Sequence, residues 1–173
     1  QQRGVRLLYI TPLRALSRDL ALAIQDPIDA MQWPLRVAIR NGDTPTAERS
    51  RQIKTPPEIL ITTPESLCVL LAGRHCERLF QTLDTVILDE WHELIGSKRG
   101  IQAELALSWL RQQRPSLQTW AISATIGNLE ESARHALGDR CDPCLITGAP
   151  KRGLSVSSIL PDSIDGSPWG GHR

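Results

Sequence analysis

The sequence feature that most constrains the fold is a short apolar run that ends abruptly at two acidic residues. Residues 86–88 read Val-Ile-Leu, Asp89 and Glu90 follow at once, and His92 comes two positions later. A run of this kind, with β-branched residues, is typical of a strand that is buried on both faces at the centre of a parallel sheet. We therefore predict a central parallel strand at residues 85–88, with carboxylates at its carboxyl end.

The acid pair leaves two interpretations open. Ligands bind beyond the carboxyl ends of the strands in open α/β sheets, where two carboxylates can hold a metal ion and position a water molecule against a phosphate. Alternatively, Asp89 is only the N-cap of a short helix and Glu90 lies in its first turn. Evidence from the rest of the sequence is needed to distinguish a ligand site from a helix N-cap.

Length and composition are those of one ordinary globular domain. The chain has 173 residues, 40% of them hydrophobic and 23% charged, and a net charge of +1. With so little net charge, any nucleic-acid site must be a local basic patch. We expect no membrane span or signal peptide, and a reducing cytoplasm suits the four cysteines. The Cys141–Cys144 spacing also fits half of a metal site, but a second pair is missing.

Strand-like and helix-like segments alternate along the sequence. Alternation of this kind predicts a mostly parallel, doubly wound α/β sheet with right-handed crossovers and helices on both faces, in three layers. After residue 148 the composition shifts to Gly, Pro and Ser, which predicts a linker. The predicted strands are residues 5–10, 35–39, 58–62, 85–88, 118–122 and 144–147. The predicted helices are residues 12–31, 45–51, 64–72, 77–82, 101–114 and 129–137.

Several predicted strands end in the same way, in a small polar cluster that opens a helix. Thr11-Pro12 and Thr63-Pro64 follow two of the strands, and Ser123 follows another. Hydroxyls and free backbone N–H groups at helix N-termini make anion sites, although plain helix capping is the commoner explanation of any one Thr-Pro. Together with the acid pair, these ends predict one sheet edge that handles phosphates.

These motifs carry a family resemblance. Residues 89–92, Asp-Glu-Trp-His, resemble motif II of the DExH-box superfamily 2 helicases, and residues 123–125, Ser-Ala-Thr, resemble motif III. Residues 11–16 and 63–67 are similar to motifs Ia and Ib, and Gly42-Asp43 stands where many members carry a Gly-Asp turn. The run 91–100 resembles the large helicase-related group, including its ligase-associated branch. The resemblance implies a RecA-like first lobe.

The resemblance also implies roles for individual residues. Asp89 would hold Mg²⁺ through water beside the phosphates of ATP, and Glu90 would orient and deprotonate the attacking water. His92 would link the nucleotide site to motif III. The alternative is that the hydrogen-bonding groups of His92 are satisfied within a helical turn. Ser123 and Thr125 would couple hydrolysis to movement.

A further set of residues would contact the phosphates of one nucleic-acid strand. Such contacts are independent of base sequence and sensitive to salt. For Lys98 and Arg99 the alternative is a solvated turn. The implied nucleic-acid residues are Thr11, Arg14, Gly42, Asp43, Thr63, Pro64, Glu65, Lys98 and Arg99.

The chain departs from the family pattern by an absence. No Gly-x-x-x-x-Gly-Lys-Ser/Thr phosphate loop occurs in these residues. The sequence starts at Gln1 without Met or a helix cap, so we expect a lobe truncated at both ends. In that interpretation residues 1–147 are a partial ATP-binding domain, and residues 148–173 begin the connection to a second RecA-like lobe.

Two functions from different classes remain. The first is a 3′-to-5′ ATP-dependent helicase or translocase acting on single-stranded or partly duplex nucleic acid, with DNA favoured over RNA. By resemblance it would work in prokaryotic DNA repair, beside proteins such as a ligase or nuclease. The second is an inert nucleic-acid-binding or scaffolding module. Retention of both Asp89 and Glu90 favours the first.

Overall fold

The computed structural model describes residues 4–124, 126–138 and 142–148. These residues form five strands and seven helices. The strands are β1 (Leu7–Ile10), β2 (Val37–Arg40), β3 (Ile59–Thr62), β4 (Thr85–Leu88) and β5 (Gln118–Ala121). The helices are α1 (Leu16–Ala30), α2 (Thr46–Lys54), α3 (Pro64–Leu71), α4 (Cys76–Phe80), α5 (Trp91–Leu94), α6 (Lys98–Gln113) and α7 (Leu129–Leu137).

All the strand pairs in the sheet are parallel, in the order β2-β3-β1-β4-β5. The predicted doubly wound parallel sheet is therefore confirmed. The prediction that residues 85–88 form the central strand is wrong for the part of the chain that is described, because β1 lies in the middle and β4 lies second from one edge. The sequence interpretation missed this because an apolar run records burial, whereas the crossovers decide the strand order.

One face of the sheet carries the main core. Side chains alternate between the two faces of a strand, and Leu8, Leu60 and Val86 share this face at matched register positions. Helices α3, α4, α5, α6 and α7 contribute buried side chains to the same cluster. The largest of them are Leu67, Leu70, Leu79, Phe80, Trp91, Leu94, Leu107 and Leu110.

The opposite face is covered in part. Helix α1 packs over β2 and β3, and Tyr9 and Ile61 are buried there. At the other end of the same face Ile87 is half-buried, and Trp120 on the edge strand β5 is 55% exposed. The prediction that β4 is buried on both faces is therefore met only in part, because no described helix packs over this side of it.

Two helix starts differ from the predictions. Pro12 is not the first residue of α1, because a tight turn, closed by the Ser17 N–H donating to the Arg14 carbonyl at 3.2 Å, delays the helix to Leu16. Helix α6 starts at Lys98 rather than residue 101, because the Ser97 hydroxyl accepts the Gly100 N–H at 3.1 Å and caps the helix.

The chain divides into two compact units, residues 1–143 and 144–173. In the second unit the structure describes residues 144–148, and they carry no regular secondary structure. The predicted strand at 144–147 is therefore wrong: a strand needs a hydrogen-bonded neighbour, and these residues form no such ladder with any described segment. The predicted domain boundary at residue 148 stays a prediction. Across the described ranges, no helix has both the length and the apolarity to cross a membrane.

Candidate nucleotide and nucleic-acid site

The polar residues that follow the parallel strands lie along one edge of the sheet. The Thr11 N–H donates to the Thr62 carbonyl at 3.0 Å, and the Asp89 N–H donates to the Ile10 carbonyl at 2.9 Å. These two bonds continue the strand ladders past the last strand residues. The segment after β1 therefore lies between the segments after β3 and β4, as the rule for ligand sites in α/β sheets requires.

The acid pair occupies a tight bend between β4 and α5. The Asp89 Oδ1 atom accepts the N–H of the next residue, Glu90, at 3.0 Å. Glu90 adopts the left-handed conformation, with φ 47° and ψ 47°. This conformation costs a residue other than glycine about 1–2 kcal/mol, and strain of this kind is concentrated at functional sites.

The capping interpretation of the acid pair does not describe this bend. The residue at the N-cap of α5 is Glu90, and its side chain makes no capping hydrogen bond. The Asp89 carboxylate accepts the adjacent N–H rather than one from inside the helix. Neither carboxylate is therefore used to cap α5, and both stand at the carboxyl edge where a ligand site is expected.

His92 joins the acid pair to the segment after β5. Its Nδ1 atom lies 3.1 Å from the Ser123 hydroxyl oxygen and accepts the Ala124 N–H at 3.3 Å. The Glu90 Oε2 atom lies 3.4 Å from the same nitrogen, and Nε2 lies 3.5 Å from a carboxylate oxygen of Glu93. Because the Ala124 N–H needs a lone pair at Nδ1, the neutral ring carries its proton on Nε2. The structure thus brings together four of the five residues predicted for catalysis and coupling, Asp89, Glu90, His92 and Ser123; Thr125 lies outside the described residues.

Tyr9 is a neighbour of the acid pair that the sequence interpretation did not single out. It pairs with Ile87 across β1 and β4, on the face to which Asp89 also belongs by strand alternation. Burial, followed by the charge of Asp89, a hydrogen bond to that carboxylate and the charge of Glu90, raises the pKa of Tyr9 to about 12. The phenol therefore stays protonated at neutral pH beside the acid pair.

A pH titration tests this arrangement, because Tyr9 is the only tyrosine in the chain. We expect phenolate absorbance to rise with a midpoint pH of about 12 in the folded chain, against 10.0 for an ordinary tyrosine. Since folding favours the neutral phenol, its contribution to stability is complete below pH 10 and is lost as the pH rises through about 12.

Two variants separate the causes of the raised pKa of Tyr9. Asp89→Asn should lower the midpoint but keep it above 10, because burial is the larger cause and remains. Asp84→Asn, at the opposite end of β4, should leave it unchanged. A midpoint near 10 in a chain that circular dichroism shows to be folded would contradict the placement of Tyr9.

Helix α3 starts at the Thr63-Pro64 pair, as predicted. The Thr63 hydroxyl accepts the Ser66 N–H at 3.4 Å, and Pro64 occupies the first turn. Helix capping is thus the observed role of the Thr63 side chain, which is 1% exposed. Thr11 is wholly buried, and its hydroxyl has no hydrogen-bond partner. If a nucleic-acid strand binds along this edge, we therefore expect it to contact backbone groups rather than these two hydroxyls.

Glu65 and Arg99 pair with each other across α3 and α6. The Arg99 Nε atom lies 2.5 Å from the Glu65 Oε1 atom, and the pair is part-buried. Burial pulls the pKa of Glu65 upward, but hydrogen bonds from Arg99 and neighbouring groups outweigh it and hold that pKa below its usual range. Lys98 is exposed beside this pair. Lys98 and Arg99 thus belong to the first turn of α6. Lys98 is solvated, as in the alternative interpretation, whereas Arg99 is paired with Glu65.

Arg14, Gly42 and Asp43 come together at the end of β2. The Arg14 Nη1 atom lies 3.3 Å from the Asp43 Oδ1 atom, and both side chains are exposed. The Arg14 guanidinium also lies so close to Gly42 that a Cβ atom there would be 3.0 Å from its Cζ atom. The two predicted nucleic-acid segments, after β1 and after β2, are therefore neighbours, and Asp43 acts as the counter-ion of Arg14.

The acid pair supplies part of the donor set that a metal ion needs. Within residues 4–124, 126–138 and 142–148, no cluster of three or more His, Cys, Asp or Glu side chains could hold a metal by itself. Mg²⁺ is usually bound through one or two carboxylates, together with substrate phosphates and water. Asp89, whose carboxylate is not a helix cap, fits that donor set, so the residues suit a metal that arrives with a nucleotide.

Fold and site together define a RecA-like α/β lobe with an acid pair at the carboxyl edge of its sheet. Residues 1–132 match the DEAD/DEAH box helicase family. The chain belongs to the DEAD/DEAH box helicase family.

Within that family the chain is similar to Lhr helicases. It is 41% identical over 175 residues to the Lhr helicase/uracil glycosylase of Escherichia coli (strain K12), covering 93% of this chain and 11% of that protein. It is 38% identical over 144 residues to the ATP-dependent helicase Lhr-Core of Methanothermobacter thermautotrophicus, covering 78% of this chain and 17% of the relative. The chain thus spans 11% and 17% of the length of these two relatives.

Solved structures agree with this assignment. The Mycobacterium smegmatis helicase Lhr bound to ssDNA and AMP-PNP superposes with a TM-score of 0.69 and 35% identity, over 76% of this chain and 18% of that one. The DEAD-box helicase Mss116 superposes with a TM-score of 0.70 at 21% identity, over 79% of this chain and 28% of the other, and supports the fold alone.

Proposed function

We propose that residues 1–147 form most of the first RecA-like lobe of an ATP-dependent helicase or translocase, and that residues 148–173 begin the connection to a second lobe. The observation that carries this proposal is the arrangement at the end of β4. There, two carboxylates that do not cap α5 stand beside a histidine that reaches Ser123, 3.1 Å away. A fold-stabilising cap would not need that constellation.

Each acidic residue has a defined part in the proposed reaction. Asp89 would hold Mg²⁺, and the bound metal would neutralise charge on the ATP phosphates. Glu90 orients a water molecule and accepts its proton as the water oxygen bonds to the γ-phosphorus and the bond from that phosphorus to the ADP oxygen breaks. The left-handed backbone at Glu90 turns its carboxylate out of the line of β4, and the side chain remains 40% exposed. The AMP-PNP bound by the Lhr neighbour supports nucleotide binding.

His92 and Ser123 are proposed to couple the nucleotide to the segment after β5, and Thr125 belongs to the same motif. Any change in charge at Glu90 alters its electrostatic interaction with the His92 Nδ1 atom, 3.4 Å away. It therefore also affects the contact between His92 and Ser123. A shift of this contact during hydrolysis would move the segment after β5 relative to β4. The link therefore transmits the state of the nucleotide rather than carrying out chemistry.

Nucleic acid is proposed to bind along the segments after β1, β2 and β3. Arg14 and Lys98 supply exposed cations, and backbone N–H groups supply neutral contacts. We propose single-stranded or partly duplex DNA, 3′-to-5′ movement and a repair setting in the cytoplasm. The ssDNA bound by the Lhr neighbour and its 35% identity support DNA over RNA.

The isolated chain is expected to be nearly inactive. No phosphate loop is present in its 173 residues, and the proposed second lobe lies outside them. We expect weak ATP binding and no oligonucleotide-stimulated hydrolysis by the purified chain, whereas the full-length protein should hydrolyse ATP in response to single-stranded DNA. Phosphate release assays on both proteins, with and without oligonucleotide, measure the difference. DNA-dependent turnover by the 173-residue chain would contradict the assignment of roles.

The alternative function is an inert nucleic-acid-binding or scaffolding module derived from such a lobe. It predicts oligonucleotide binding with no turnover by the full-length protein. It also predicts that no phosphate loop lies in the coding sequence upstream of Gln1. The intact acid pair is the observation that favours the motor.

A further inference from the structure

The turn that follows β2 is built by side chains of its own. The Asn41 Oδ1 atom accepts the Asp43 N–H at 3.0 Å, and the Thr44 hydroxyl accepts the Asn41 N–H at 3.0 Å. Asn41 is 7% exposed, whereas Gly42 and Asp43 are exposed. The turn is therefore anchored at its base and presents its tip to solvent.

One guanidinium on α2 holds three carbonyls of this turn. The Arg49 Nε atom donates to the Thr44 carbonyl at 2.7 Å. Its Nη2 atom donates to the Asn41 carbonyl at 3.1 Å and to the Gly42 carbonyl at 2.9 Å. These contacts use the rigid, planar donor fork of arginine, which the single ammonium of lysine cannot reproduce.

The position of the turn determines where Arg14 lies. The Arg14 guanidinium rests against Gly42, where an added Cβ would lie 3.0 Å from its Nη1 atom, and it pairs with Asp43 at 3.3 Å. Both partners of that ion pair are exposed, at 57% and 73%, so the pair is weak. A phosphate can therefore replace Asp43 as the partner of Arg14 while the turn stays in place.

We propose that Arg49 is a positioning residue for nucleic-acid binding, which fixes the 41–44 turn beneath Arg14 and so presents the Arg14 guanidinium to a backbone phosphate. The donors that Arg49 uses point at turn carbonyls, so it acts through the turn. This inference rests on the proposed function, since it assumes that Arg14 meets a phosphate.

The test compares Arg49→Ala and Arg49→Lys with Arg14→Ala in the full-length protein. Arg51→Ala is the matched control, because Arg51 lies on the same helix and its exposed side chain pairs with Glu48. The measurements are the oligonucleotide concentration that half-saturates ATP hydrolysis, the turnover at saturation, and oligonucleotide affinity by fluorescence anisotropy at several salt concentrations.

We expect both Arg49 variants to raise the half-saturating oligonucleotide concentration by about 3- to 10-fold, with turnover at saturation little changed. This factor corresponds to about 1 kcal/mol of binding free energy, which is lost because Arg14 is no longer held in position. Arg14→Ala should make the negative slope of log affinity against log salt shallower by about 0.7–0.9, since one phosphate contact disappears. Arg49→Ala should make that slope shallower by no more than the same single contact, because Arg49 acts only through Arg14. The double variant Arg14→Ala/Arg49→Ala should bind no more weakly than Arg14→Ala alone.

Three results would overturn the proposal. The first is an Arg49→Ala variant that binds oligonucleotide as tightly as the wild type does. The second is additive losses in the double variant, which would make Arg49 an independent contact. The third is a fall in turnover at saturating oligonucleotide as large as the loss of oligonucleotide affinity, which would make Arg49 a general structural residue. If the wild type binds no oligonucleotide at all, the proposed function itself fails; if it binds and the Arg49 variants bind equally well, only this inference fails.

Discussion

Glu90→Gln in the full-length protein is expected to lower ATP turnover by about 10²–10⁴-fold, which is the usual contribution of a general base. The amide keeps the size of the side chain but cannot accept a proton from the attacking water. Nucleotide affinity should change little, because the metal contact is assigned to Asp89. Steady-state phosphate release gives the turnover, and titration with a fluorescent ATP analogue gives the affinity.

A matched exposed glutamate controls for the loss of one negative charge. Glu130 lies in the first turn of α7 and is exposed. Glu130→Gln should therefore leave turnover within about twofold, as expected for surface changes away from special features. Near-normal turnover by Glu90→Gln would remove Glu90 from the mechanism and favour the inert module.

Gly100→Ala is expected to destabilise the chain, although the same change in an ordinary helix stabilises by roughly 0.5–1 kcal/mol. Gly100 lies in the first turn of α6 and is buried against the end of α5. An added Cβ atom would lie 2.1 Å from the Leu94 carbonyl oxygen and 2.8 Å from the Leu94 carbonyl carbon. Both are backbone atoms that a change of rotamer cannot move, so α5 and α6 would have to separate.

We expect the free energy of unfolding to fall by about 1–3 kcal/mol, as for other overpacked sites, in urea denaturation followed by circular dichroism. Gly127→Ala is the control, because a Cβ atom there meets nothing within 4 Å. The control should stay within about 0.5 kcal/mol of the wild type. A Gly100→Ala chain as stable as the wild type would mean that α5 and α6 are not in such close contact.

The two expected results concern the same short stretch. Helix α5 follows Glu90 directly, and its packing against α6 depends on Gly100. The Trp91 side chain, 1% exposed, donates its indole N–H to the Ser132 carbonyl at 3.0 Å and ties α5 to α7 as well. Gly100→Ala in the full-length protein therefore also perturbs the support of the acid pair, whereas Glu90→Gln leaves that support intact.

Local chemistry explains why much of the fold could be predicted. Thr63 caps α3 with its side-chain oxygen, as the Thr-Pro pair at the end of a strand indicated, and Asn128 caps α7 in the same way. The alternation of strands and helices was enough to predict parallel pairing, since each crossover returns the chain to the same end of the sheet. The start of α1 was missed because residues 11–15 form a turn that no local pattern distinguishes from a helix start.

Contacts between distant residues explain what the sequence could not indicate. Arg99 and Glu65 are 34 residues apart and meet only because α3 packs beside α6. In the sequence, Arg49 resembles any other arginine of a polar helix. Its hydrogen bonds to the 41–44 turn depend on how α2 packs beside that turn. Tyr9 reads as one more strand residue until the register places it next to the strand that carries Asp89.

The sequence by itself determined the parallel α/β class, the Thr63-Pro64 helix start and the acid pair at a strand end, because each depends on neighbouring residues and on hydrophobic periodicity. Only the tertiary structure decided that β4 lies beside β1 rather than at the centre, that neither carboxylate caps α5, and that His92 reaches Ser123. Those facts depend on strand order and on a left-handed bend at Glu90, which arise from packing across the whole sheet.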